Sequence, residues 1–382
     1  MACIALALVL ISAVFVGLHF SNGNGGGLDE SKDNPVMVFD SLPDGITADY
    51  DRLSLISSEA VTWTVFDELH MYYNTSQYGS FTDRYTGTTY IGAVLSLKPG
   101  LYSITVGDSR FLATVYGQID MEKSWTYNLD GKNVNASISY SIQVSELVSE
   151  FAYADRLNMN DATPTPKYRS DCVFKASTSY SFSDLPKLVR IGDTVSMVGD
   201  RLVEEYVRVG GDRTDSQGLL DFIAGFIQKG IRYPSTISDR SFDYGIHGSD
   251  EYWAVPVQTL YHQYGDCEDD SALFCSLASY LGFDVAMGGK AGHVFAGVVL
   301  EEFIEVSEQR LRDLGVGYMR HLSGTDIEGT SGRTYQAVEL IKGQAPVGYS
   351  MSIDFGSNTQ WGTTGFYPAD PQGEVPGIHS PS

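Results

Sequence analysis

Three residues have the types and surroundings for covalent acyl chemistry: Cys267, His293 and Glu339. A nucleophilic cysteine needs a thiolate, a base to take its proton, and a third group to hold that base in the useful tautomer. Cys267 stands in the run Gln258-Thr-Leu-Tyr-His-Gln-Tyr-Gly-Asp-Cys-Glu-Asp-Asp-Ser-Ala-Leu273. Gly265 and Asp266 break the preceding pattern, after which Leu273, Leu277, Tyr280 and Leu281 recur at helical spacing. Asp266 is a good N-cap, and Asp269 three residues on can reach back as in a capping box. Cys267 then takes the first helical position, where unpaired amides and the helix dipole favour a thiolate.

The segment Gly292-His-Val-Phe-Ala-Gly-Val-Val299 reads as a strand with His293 at its mouth, able to accept the thiol proton and return it to a leaving amine. Thr334-Tyr-Gln-Ala-Val-Glu-Leu340 reads as another strand, its apolar run interrupted by Glu339. Antiparallel pairing of the two brings Glu339 beside His293 and completes a Cys-His-Glu triad. The orphan amide of Cys267 is a natural oxyanion donor. A side-chain donor from Gln258 or Gln263 is not fixed by spacing.

Each residue alone has a plainer reading. A lone cysteine is most often a small buried apolar side chain, and Cys275, eight positions along the same helix, reads as core. A Cys172–Cys275 disulfide is left open. His293 alone reads as a satisfied polar residue and Glu339 as an edge-strand charge. The run Asp266, Glu268, Asp269 and Asp270 lacks the alternating ligands of a calcium loop. Cys267, His293 and His262 lack the paired spacing of a zinc site, so neither metal nor cofactor is expected. His247 reads as a solvated loop residue, and Tyr252 and Trp253 as core aromatics or cleft walls.

The motifs resemble the transglutaminase-like superfamily, whose members share a papain-like core. The matching pieces are Tyr264-Gly-Asp-Cys-Glu-Asp-Asp-Ser271, Leu281-Gly-Phe-Asp-Val285, Gly292-His293 and Arg333-Thr-Tyr-Gln-Ala-Val-Glu339. Secreted or membrane-anchored archaeal and bacterial members carry the same Gly-Asp-Cys-Glu-Asp box. The resemblance covers roughly residues 185–345 and implies Cys267 as nucleophile, His293 as base, Glu339 as orienting acid and Asp269 as a structural partner. It implies an α+β fold in which the nucleophile helix packs on an antiparallel sheet. Two departures stand out: residues 301–333 look like an insertion between His293 and Glu339, and common members have Asp where this chain has Glu339.

Other elements surround that core. Ala60-Val-Thr-Trp-Thr-Val-Phe66, Thr89-Tyr-Ile-Gly-Ala-Val-Leu95, Leu101-Tyr-Ser-Ile-Thr-Val106 and Arg110-Phe-Leu-Ala-Thr-Val-Tyr116 read as strands of a small sandwich-like domain over 37–120. A hairpin turning at Asp130-Gly131 leads into the catalytic domain over 121–345. After an irregular stretch come two helices, marked by Val195, Val198, Leu202, Tyr206 and Val209, then by Leu219, Phe222, Ile223, Phe226 and Ile227. Residues 346–382 lose periodicity and read as a Pro/Gly-rich tail.

Residues 1–20 carry no charged side chain and are long enough to span a bilayer, followed by a flexible linker over 21–36. An uncleaved membrane anchor is the first reading, with the bulk of the chain extracytoplasmic; secretion after signal cleavage is the second. The sequons at Asn74 and Asn135 suit export but decide little. Among 382 residues, 48 acidic against 25 basic side chains leave a net charge of −23, which excludes a nucleic-acid partner. The expected partners are a protein or peptide substrate and the membrane. The expected activity is that of a cysteine peptidase or amidase working through a thioester, with amine transfer as the related outcome. The reading from another class is a cell-surface binding or scaffold protein with a non-catalytic core.

Overall fold

The computed structural model describes residues 36–57, 61–67, 72–77, 80–82, 89–91, 94–158, 181–233, 252–290, 292–327, 332–341, 343–350 and 365–369. The segment 1–20, nearly all of the linker, Cys172 and His247 lie outside them. Among the described residues no helix is long and apolar enough to cross a membrane. The chain is a mixture of helices and several antiparallel sheets.

The front region is all β. Its strands are β1 (Val36–Phe39), β2 (Ile46–Asp49), β3 (Ser54–Ser57), β4 (Thr62–Asp67), β5 (Tyr72–Gln77), β6 (Ser80–Thr82), β7 (Thr89–Ile91), β8 (Val94–Ser96), β9 (Gly100–Val106) and β10 (Ser109–Tyr116). A five-stranded sheet in the order β1-β10-β9-β4-β5 and a three-stranded sheet β2-β3-β8 enclose one core. Alternation explains it. Phe111, Ala113 and Val115 of β10 point inward, where they meet Met37, Trp63 and Ile104, with Leu55 and Leu95 supplied by the smaller sheet. The single strand expected over 89–95 is two short ones, in different sheets.

A hairpin follows, β11 (Gln118–Leu129) paired with β12 (Lys132–Gln143). Asp130 and Gly131 turn with φ of 47° and 84°, the positive pair that matches strand twist in a two-residue loop. Beyond it the sequence reading expects irregular chain. The structure instead has helix α1 (Val144–Asn158), burying Val144, Leu147, Phe151, Ala154 and Asn158 on one stripe. Helices α2 (Asp193–Arg208) and α3 (Ser216–Gly230) bury their expected apolar faces, and Asp215 caps α3 through Gly218 N at 2.9 Å. Phe222 and Phe226 of α3 pack on Trp125 of β11 at 5.4 and 5.2 Å between ring centroids.

Helix α4 (Pro256–His262) precedes α5 (Cys267–Tyr280), which carries the nucleophile candidate. The main sheet is built from β13 (Val285–Lys290), β14 (His293–Val299), β15 (Arg320–His321), β16 (Ser323–Gly324), β17 (Tyr335–Val338), β18 (Tyr349–Ser350) and β19 (Gly365–Ala369). Their order is β15-β18-β17-β14-β13-β19, with β16 on β17. This corrects the tail boundary at 346: β18 and β19 fall inside the supposed tail yet belong to the sheet. The inserted segment also has a place. Residues 301–324 form α6 (Glu308–Asp313), β15 and β16, and bury Leu311, Val316 and Met319 against Ala345 and Tyr349.

Candidate active site

Helix α5 starts at Cys267 because Gly265 and Asp266 leave the helical region, Asp266 having φ −102° and ψ −153°. The expected capping box does not form. Asp266 makes no side-chain cap bond. Asp269, fully buried, instead accepts from the backbone N–H of Ala254 at 2.7 Å and ties the helix start to the chain ahead of α4. Cys267 is partly exposed, and its thiol donates to Glu268 Oε2 at 3.1 Å. Cys275 is a free thiol within the core, donating to the carbonyl of Ala286 at 3.3 Å, and burial pushes its pKa up to about 12.

Topology puts Cys267 at the same end of the sheet as His293. The C-terminus of α5 turns through Gly282, at φ 90°, directly into β13, so helix and strand run in opposite directions. Cys275 lies over Ala286, the register partner of Gly297. From Cys275 back to Cys267 is about 12 Å of helix at 1.5 Å per residue. From Gly297 back to His293 is about 13 Å of strand at 3.3 Å per residue. Both residues therefore reach the end of the sheet where β13 gives way to β14 through Gly292, whose φ is 72°.

The structure brings His293 and Glu339 together. Strands β14 and β17 pair antiparallel with Ala296 opposite Val338, which sets Glu339, one residue beyond β17, diagonal to His293. His293 Nε2 lies 3.0 and 3.1 Å from the two carboxylate oxygens. Glu339 is fully buried and His293 is 9% exposed. With the carboxylate ionised, it accepts from Nε2–H, the tautomer that leaves the lone pair on Nδ1. The ring lies on the same face of β14 as Phe295, at 6.2 Å, while Val294, Ala296 and Val298 join the core that includes α5. Sulfur and imidazole thus share an end of the sheet.

Two of the site's polar neighbours carry no signal in the local sequence. Ser350, fully buried, donates its hydroxyl to Glu339 Oε2 at 2.8 Å, and Gln228 of α3 donates to the Glu339 carbonyl at 2.7 Å. Neither lies in a motif, and both reach the site through the tertiary fold. Tyr233 stands beside the loop ahead of Cys267 because Arg232 bridges Tyr264 and accepts from Gly265 N at 3.3 Å. Burial, then the charges of Cys267 and Asp266, push its phenol above the usual range.

The suggested side-chain oxyanion donors are engaged elsewhere. Gln258 is fully buried, accepting from Val255 N at 2.9 Å and donating to Tyr252 Oη at 3.1 Å. Gln263 accepts from Lys123 Nζ at 3.1 Å and donates to the Glu122 carbonyl at 3.2 Å. Tyr252 and Trp253 are core residues, 0% and 1% exposed. Asp266, Cys267 and Glu268 place one ligand atom each within 4.8 Å of one another. These are three consecutive residues with two hard carboxylates and a soft thiol, which is no defined coordination geometry. In comparison with known proteins, no family model matches the chain, and no curated protein and no solved structure matches it.

Proposed function

We propose that the protein is a transglutaminase-like cysteine enzyme with a papain-like core, acting outside the cytoplasm on amide bonds of proteins or peptides. The observation that carries the reading is the buried His293–Glu339 pair at the sheet end where the Cys267 helix begins. An imidazole held by a carboxylate on Nε2 has its other nitrogen set to act as a base.

In this mechanism Nδ1 of His293 takes the thiol proton of Cys267, and the sulfur attacks the substrate carbonyl carbon. The C–N bond breaks as the imidazolium returns the proton to the departing amine, leaving a thioester. Water, deprotonated by His293, then adds to the thioester; release of the carboxylic acid restores the thiol. An incoming amine in place of water gives transfer. Hydrolysis is the favoured outcome. The charge on the tetrahedral intermediate falls to the Cys267 amide at the helix start.

A second reading, a cell-surface binding or scaffold protein with a silent core, is favoured by the thiol's bond to Glu268, which stabilises the neutral thiol. Alkylation of Cys267 by iodoacetamide separates the two. The enzyme reading expects rapid labelling that slows by about 10²-fold in His293→Ala. Equal, slow labelling in both proteins rejects it. Labelled amine incorporation against new amino termini then distinguishes transfer from hydrolysis.

A further inference from the structure

We infer that Ser350 is a positioning residue of this site, holding the carboxylate of Glu339 in the plane and position that fix the His293 ring. The inference rests on the reading above for its catalytic meaning, but its structural content does not. Ser350 Oγ lies 2.8 Å from Glu339 Oε2, the same oxygen that lies 3.1 Å from His293 Nε2. Both Ser350 and Glu339 are 0% exposed. A buried carboxylate is costly unless donors satisfy it, and a hydroxyl on one oxygen leaves the group oriented for the imidazole.

The hydroxyl is itself held by more than its own strand. Tyr349 and Ser350 form β18, parallel to β17, with Tyr349 opposite Val338, so the chain leaves Glu339 and returns beside it within eleven residues. Helix α3 grips that excursion. Gln228 Nε2 donates to the carbonyls of Glu339 and Ala345 at 2.7 and 3.0 Å, and Asp221 Oδ1 accepts from Val347 N at 2.6 Å. Gly348 N donates to the Ala337 carbonyl at 2.7 Å. From the other side, Tyr349 Oη donates to the Val306 carbonyl at 3.0 Å and accepts from Val306 N at 2.8 Å.

Val306 belongs to the segment that lengthens the His293-to-Glu339 interval. The inserted residues therefore brace the neighbour of Ser350, and through it the carboxylate behind the imidazole. Serine is well suited to the position: its side chain is short, and threonine would keep the same donor.

The test uses the full chain and two readouts. One is the downfield proton resonance of His293 Nε2–H, which reports the hydrogen bond to Glu339 whether or not the protein turns over substrate. The other is kcat against KM on a peptide amide. Ser350→Ala is expected to move the resonance and lower kcat by about 10-fold with KM little changed, the size of one lost hydrogen bond to a charged group. Ser350→Thr is expected to restore both. Should Ser350→Ala fail to fold, Ser350→Cys carries the same expectation, because a thiol is a poor donor. An unchanged resonance in a folded Ser350→Ala, or Ala and Thr equally impaired, overturns the inference. A moved resonance in a protein that cleaves no amide upholds the positioning role and rejects the catalytic reading.

Discussion

The front and rear regions of the chain bury different kinds of polar group. Between residues 36 and 116 the buried polar side chains among the described residues are Ser54, Ser57 and Ser103. From Asn158 onward they include Glu205, Gln258, Asp269, Asp270, His293 and Glu339. A buried hydroxyl is cheap once bonded, whereas a buried carboxylate costs several kcal/mol unless it is well partnered or protonated. The front region is thus built as ordinary packed sheets, and the rear region concentrates the expensive groups around one helix start and one strand mouth. Some serve the frame: Glu205 accepts from Ser137 N at 2.5 Å and pairs with Arg208. Asp270 stands apart, with no hydrogen-bond partner for either oxygen, and burial followed by the nearby Asp266 holds it well above the usual carboxylate range. Such shifts cluster where groups are arranged for chemistry as well as in structural networks.

The same contrast separates the two cysteines of α5. Cys275, in the core and raised to about 12 by burial, is inert at neutral pH. Cys267, two turns away at the helix start, is only partly buried.

The largest test of the contrast is to remove the reacting group and the front core in turn. On the proposed reading, Cys267→Ala is expected to lower amide cleavage by at least about 10³-fold while moving the melting temperature little, since alanine removes only one partly exposed sulfur from the edge of the core. Trp63→Ala does the reverse: it empties a fully buried site in the front core. The expected loss is about 3–5 kcal/mol, read by denaturant unfolding, with Cys267 alkylation unaffected in the remaining folded protein. If Trp63→Ala slows alkylation at Cys267 as strongly as His293→Ala does, the two regions are not separable.

A smaller effect concerns pH. Asp221 of α3 has its pKa raised to about 7, first by burial, although its backbone partner Val347 N pulls it down. Folding therefore favours the protonated acid. Its contribution to stability is complete below about pH 4, the unfolded value, and is lost as pH rises through about 7. Asp221→Asn is expected to recover on the order of 2 kcal/mol at pH 8 relative to the wild type and nothing at pH 3. Parallel stability curves for the two proteins across that range reject the assignment. Smallest is Glu268→Gln. Replacing the carboxylate that accepts the thiol proton is expected to speed alkylation of Cys267 by about fivefold at pH 7, because the thiolate no longer faces a like charge. Slower alkylation would mean that Glu268 acts as the base.

Much of the frame is readable in local pattern. The apolar stripes of α2 and α3 and the Asp130-Gly131 hairpin depend on neighbours within a turn or two, where spacing and turn chemistry suffice. Helix α1 was equally readable, since Val144, Leu147, Phe151, Ala154 and Asn158 repeat at helical intervals, but the helix follows β12 with no break residue between them. Strand β19 hid behind its composition. It holds Pro368, tolerable because β19 is an edge strand whose register places Pro368 opposite Ala286. Asp269 departs from its expected capping role for a different reason: a capping box is a local device, and a backbone amide fifteen residues upstream takes the carboxylate instead.

By itself the sequence determined that Cys267 begins a helix, that His293 begins a strand and that another strand leads up to Glu339, although that strand ends at Val338 rather than running through the glutamate; backbone preferences and hydrophobic period are local properties. Only the tertiary structure decided that Glu339 meets both His293 and Ser350, that Gln228 grips its carbonyl, and that the Cys267 thiol rests on Glu268. Most of those contacts join residues far apart along the chain, the exception being the thiol's bond to the next residue. Their geometry is set by sheet register and helix packing, which no short stretch of residues encodes alone.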